Sequence, residues 1–215
     1  MRKLLTAIAL AASLATSLGT AHAAVLTFDD VPGGSIQDTY GPMPAIYMGY
    51  TFACTGGPCD LGEGYNYLAW IDTVGPGSWE QGATSGDFTL NNPWGGTGVI
   101  RAADGSDFSF DGLWARAAHE PGPRDVTLRG FNNGAEIWTQ AGTLTDVFVN
   151  FGAMNGAIDE LRLDFGAWFL VDDVALNERA AAVPEPASLL LAGVGLAALG
   201  AVRRSARRSD RSTRA

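Results

Sequence analysis

The chain has 215 residues, 47% of them apolar and only 17% charged, and carries a formal net charge of −9. The ends differ so much from the middle that these totals mislead: residues 24–182 alone hold 21 acidic and 6 basic residues, a net charge of −15. With no lysine after Lys3 and no basic cluster in that middle, a surface for nucleic acid phosphates is excluded. A stretch of this length builds one hydrophobic core rather than two.

Arg2 and Lys3 precede an apolar run at 4–18 and then Ala21-His22-Ala23. A short positive region, an apolar stretch too short to span stably and small residues at −3 and −1 predict a cleaved signal peptide over 1–23, with Ala21 and Ala23 setting the cleavage site. An uncleaved N-terminal anchor is the alternative.

Between 24 and 182, short alternating runs broken by Gly, Pro and Asn predict strands at 25–30, 47–54, 65–71, 87–92, 97–103 and 107–118. Further strands are expected at 125–131, 135–140, 146–152, 158–166 and 168–176. Leu161, Leu163 and Phe165 share one face while Arg162 and Asp164 share the other, as a half-buried strand requires. Asn132-Asn133-Gly134 reads as a hairpin turn, because Asn-Gly tolerates positive φ at both central positions. No helical stripe longer than two turns occurs outside the terminal segments. The expected fold of 24–182 is an all-β, jelly-roll-type β-sandwich, with an open barrel as the alternative.

Val183-Pro184-Glu185-Pro186 then leads into sixteen apolar residues at 187–202, and six arginines follow in the last thirteen positions. Sixteen helical residues reach about 24 Å, slightly short of the ~30 Å hydrocarbon core. Flanking arginines can snorkel to the cytoplasmic side, so 187–202 is predicted as a transmembrane helix and 209–215 as a basic cytoplasmic tail. Six arginines argue against a buried core helix.

These three parts, in this order over 183–208, resemble the PEP-CTERM sorting signal. That resemblance implies export, transient membrane tethering and processing by an exosortase, a membrane protease-transpeptidase. It also implies delivery to the cell surface or extracellular matrix of a Gram-negative bacterium that makes exopolysaccharide, and it says nothing about what the cargo does. The opening strand ending in Phe28-Asp29-Asp30 and the closing strand at 169–176 resemble the outer strands of jelly-roll carbohydrate-binding modules. In such modules a structural calcium ion often sits where these strands pair, so Asp29, Asp30, Asp172 and Asp173 become candidate calcium ligands. Asp172 shares strand parity with Leu170, Val174 and Leu176 and is expected to point inward, where a cation would offset a buried charge. The alternative is that the four acids bind water or loop amides.

Cys54 and Cys59 are the only cysteines. In an exported chain they are expected to form a disulfide, since zinc would need two more ligands and the mature part holds a single histidine, His119. Flat aromatic faces stack on sugar rings, which makes three of the six tryptophans candidate ligand-binding residues. Trp79 and Trp94 sit in turn-rich loops, and Trp138 shares parity with Glu136 and Gln140 and is expected to face outward. Trp168 shares parity with Leu170 and is expected in the core. Catalysis has little to draw on: His119 is a lone histidine in a loop segment, and Glu63, Glu80, Asp87, Glu120 or Glu160 form no distinctive carboxylate pair. These features together point to a non-enzymatic surface or matrix protein whose sandwich contacts exopolysaccharide or envelope glycans. A secreted carbohydrate-active enzyme and a self-associating structural coat protein are the alternatives.

Overall fold

The computed structural model describes residues 24–36, 39–62, 64–75, 82–118 and 123–177. The signal peptide with Ala21 and Ala23, the motif Val183, Pro184, Glu185 and Pro186, the span 187–202 and the tail 209–215 lie outside the described residues. So do Trp79, His119, Glu63, Glu80 and Glu120. The chain separates after Arg179 into two units, and every described residue belongs to the first.

The described residues form twelve strands: β1 (Ala24–Leu26), β2 (Tyr40–Pro42), β3 (Tyr50–Thr55), β4 (Ala69–Asp72), β5 (Phe88–Asn91), β6 (Thr97–Ala102), β7 (Phe110–Ala117), β8 (Arg124–Asn132), β9 (Ala135–Leu144), β10 (Val149–Gly152), β11 (Glu160–Asp164) and β12 (Phe169–Leu176). One antiparallel sheet runs β10-β7-β12-β5-β4-β2, and β1 also pairs with β12. The other runs β3-β6-β11-β8-β9. From β5 onward the chain changes sheets at almost every connection, which is the two-sheet sandwich the alternation predicted. A 3-10 turn at Gly57–Leu61 is the remaining regular element among the described residues.

The two sheets bury their facing side chains against each other. Phe28, Phe108, Phe110, Phe165 and Phe169 are fully enclosed, and the rings of Phe151, Phe165 and Phe169 follow one another at 5.3–5.4 Å. Each such side chain contributes about 1.5–3 kcal/mol by leaving water. The β11 pattern is as expected: Leu161, Leu163 and Phe165 are in the core, whereas Arg162 and Asp164 lie outside. On that outer face Glu160 is held between Arg101 and Arg162, and Arg129 pairs with Asp164. The hairpin joining β8 and β9 turns at Asn133 (φ 50°) and Gly134 (φ 78°), both left-handed as the Asn-Gly signal requires.

Three expectations drawn from strand parity do not hold. Trp138 does not face outward: it is 7% exposed, and its ring packs on Phe110 at 5.4 Å and lies against Gly130. The cause is a bulge, because Gly130 pairs with Trp138 but Phe131 pairs with Glu136, leaving Ile137 as an extra residue. Trp168 is half-buried rather than core, because it adopts φ 58° just before β12 begins. Asp172 is fully buried, yet it does not share a face with Val174 and Leu176. Asp173 adopts φ 48° and the β12–β7 register shifts between Asp172 and Ala175. Val174 and Leu176 therefore enter the main core, while Asp172 stays on the outer face with Leu170.

Candidate ligand-binding site

Of the three candidate ligand-binding tryptophans, Trp94 is the one that the described structure leaves within reach of a ligand. It lies on the loop between β5 and β6, half-buried against the edge of the core. Tyr65 stands edge-on to it at 4.8 Å and Tyr67 at 6.2 Å. Both tyrosines belong to the segment expected as strand 65–71, but the strand starts only at Ala69, so they lie on the approach to it. Tyr65 is 41% exposed and Tyr40, on edge strand β2, is also exposed. Tyr67 feels Tyr40 electrostatically. Its hydroxyl pKa is raised above the ordinary value, first by burial and then by Tyr40. The result is a patch with one half-buried indole, two tyrosine edges and several hydroxyls. Such a surface offers apolar faces and hydrogen-bonding groups together, as a sugar ring requires.

The disulfide expected between Cys54 and Cys59 is present and borders this patch. Gly96, beyond Trp94, runs so close to it that a Cβ there would meet Cys59 Sγ at 2.6 Å.

Of the four aspartates considered for calcium, Asp29, Asp172 and Asp173 hold one segment, 84–88, near the pairing of β1 with β12. Asp172 has both carboxylate oxygens engaged by amides, and each of the other three has its Oδ1 engaged. Asp29 Oδ1 accepts from the amides of Asp87 (2.8 Å) and Phe88 (3.2 Å), and Asp30 accepts from the Tyr47 hydroxyl at 2.5 Å. Asp172 Oδ2 accepts from Thr84 N (2.7 Å) and Ser85 N (2.9 Å), its Oδ1 from Asp173 N (2.8 Å), and Asp173 from Ser85 Oγ (2.7 Å). Asp29, Asp172 and Asp173 fasten the segment 84–88 to the sandwich, whereas Asp30 holds Tyr47. Among the described residues no group of three or more His, Cys, Asp or Glu side chains is arranged to hold a metal ion. Burial pushes the Asp172 carboxyl up to about 7, with Asp173 adding to the rise and the amides of Ser85, Asp173 and Thr84 opposing it.

Sequence reasoning passed over Trp114. It is 37% exposed on the outer face of β7, opposite the exposed Asn150 on β10 and the buried Asp172 on β12. The signal was its parity with Arg116 and its opposition to the inward-facing Leu113 and Ala115.

Among the described residues no helix is long and apolar enough to cross a membrane. No curated protein matches the chain. The PEP-CTERM protein-sorting motif matches residues 182–208, the stretch that follows the sandwich. The chain is therefore an exported protein that carries an exosortase sorting signal, with a transient membrane anchor and a destination at the cell surface.

Proposed function

We propose that the sandwich is a non-catalytic, glycan-binding domain of the cell surface or matrix, and that Trp94, Tyr65 and Tyr67 form its contact. The observation that carries this reading is the partly exposed aromatic cluster built on a disulfide-bordered loop of an exported protein. The charge narrows the ligand. A domain with a net charge of −15 repels polyanions at moderate salt, so the ligand is a neutral polysaccharide such as an exopolymer. Glu160, one of the acids considered for hydrolysis, is occupied by Arg101 and Arg162.

The test is binding of the purified protein to a polysaccharide panel that includes the producing organism's own exopolymer. Saturable binding weakened about tenfold by Trp94→Ala or Tyr65→Ala, the loss of one aromatic contact of ~1.5 kcal/mol, supports the proposal. Glycan turnover abolished by a single carboxylate substitution would replace it with a carbohydrate-active enzyme. Concentration-dependent assembly with no glycan bound would replace it with a self-associating coat protein.

A further inference from the structure

The loop that carries Trp94 is organised around one buried side chain. Asn92 is fully enclosed, and its Oδ1 accepts from the amides of Trp94 (3.0 Å) and Gly95 (3.2 Å). Its Nδ2 donates to the Gly96 carbonyl at 2.8 Å and sits 3.3 Å from Cys54 Sγ. Gly96 in turn is pressed against the turn that the disulfide closes: a Cβ there would meet the Gly56 carbonyl oxygen at 2.4 Å and both the Thr55 oxygen and Cys59 Sγ at 2.6 Å. Cys54 also reaches the second aromatic segment, because its amide donates to the carbonyl of Asn66, between Tyr65 and Tyr67. One disulfide thus touches both stretches of chain that build the patch.

We propose that the Cys54–Cys59 disulfide and Asn92 are the positioning elements of the aromatic patch, so that ligand capture belongs to the oxidised, exported protein alone. The brace stands on these contacts, and only the identity of the ligand rests on the glycan proposal. Closing the bond removes two protons and two electrons from the thiols and passes them to the disulfide of an oxidised dithiol donor outside the cytoplasm, which leaves as the dithiol. Before export the thiols are reduced. The turn at Gly57–Leu61 is then no longer tied to the end of β3, and Gly96 and Asn92 lose the wall they pack against. The patch assembles when the chain reaches an oxidising compartment.

The experiment is hydrogen exchange on the full chain, oxidised and then reduced, read at the amides of Trp94 and Gly95 with those of β8 and β9 as an internal control. Reduction, the double change Cys54→Ser with Cys59→Ser, and Asn92→Ala with the disulfide intact should each speed exchange at Trp94 and Gly95 about tenfold or more, leaving β8 and β9 within about twofold. Unchanged exchange at Trp94 and Gly95 overturns the proposal. So does an equal rise across β8 and β9, which would make the disulfide a general stabiliser. Binding to the polysaccharide panel separates the brace from the ligand assignment. If the brace behaves as stated but the oxidised protein binds no glycan, the glycan assignment fails and the brace stands. Equal binding by oxidised and reduced protein removes the proposed control.

Discussion

Replacing Trp138 with alanine distinguishes a core residue from a ligand contact. The indole is 7% exposed, packs on Phe110 at 5.4 Å, and lies so flat on β8 that a Cβ on Gly130 would meet it at 2.3 Å. Truncation removes nearly the whole buried ring and leaves a cavity that a two-sheet core collapses only in part, which places the cost at about 3–5 kcal/mol. For a domain of this size each kcal/mol lowers the midpoint by roughly 2–4 °C, so the melting temperature should fall by about 6–20 °C. Trp138→Phe should recover most of the loss, because a second aromatic ring refills the space and the buried indole Nε1 has no hydrogen-bond partner to lose. Thermal and urea melts followed by circular dichroism check both variants. A Trp138→Ala protein whose stability stays within about 0.5 kcal/mol of the parent, and whose glycan binding disappears, would refute the bulge at Ile137 and return Trp138 to the surface.

Asp172 gives a pH dependence of unusual sign. Because burial holds its carboxyl at about 7 in the folded protein, the folded state keeps a proton that the unfolded chain releases between pH ~4 and ~7. Its contribution is fully present below pH ~4 and is lost as pH rises through ~7, by about 4 kcal/mol at most. Urea melts of the parent and Asp172→Asn should therefore diverge across that window, and parallel curves would contradict the linkage. Breaking the Cys54–Cys59 bond should cost about 2 kcal/mol, the loop-closure value for so short a ring, and a loss of about 5 kcal/mol or no loss would each contradict it. A chelator should leave the melting temperature unchanged, since each of Asp29, Asp30, Asp172 and Asp173 already accepts a hydrogen bond from an amide or hydroxyl. A fall reversed by added calcium would show that they coordinate metal after all.

The sandwich was legible because its strands alternate cleanly where nothing interrupts them. In β11 every side chain from Leu161 to Asp164 goes where its parity sends it, and the Asn-Gly turn declares the β8–β9 hairpin. Parity failed wherever the backbone gained a residue or turned left-handed. Ile137 bulges out of β9 and carries Trp138 inward; Asp173 kinks β12 and separates Asp172 from Val174; Trp168 sits at positive φ ahead of its strand. None of these residues is a glycine, so the sequence offered no warning. β2 was hidden for a different reason. Its three residues, Tyr40, Gly41 and Pro42, belong to none of the alternating runs, yet Gly41 is needed where the Trp70 ring would strike a Cβ at 2.6 Å. The aromatic patch was half legible: Trp94 stood out among turn residues, whereas Tyr65 and Tyr67 reach it only through the fold, and Asn92 looked like an ordinary strand end.

Hydroxyl-radical footprinting of the oxidised protein with and without the exopolymer, read at individual aromatic residues, decides whether the patch is the glycan contact. Modification of Tyr65, Tyr67 and Trp94 should slow in the bound state, with no change at Trp138, which is already enclosed. Binding that leaves Tyr65, Tyr67 and Trp94 unprotected, with protection confined to Trp114 and Asn150 on the sheet face, would contradict it.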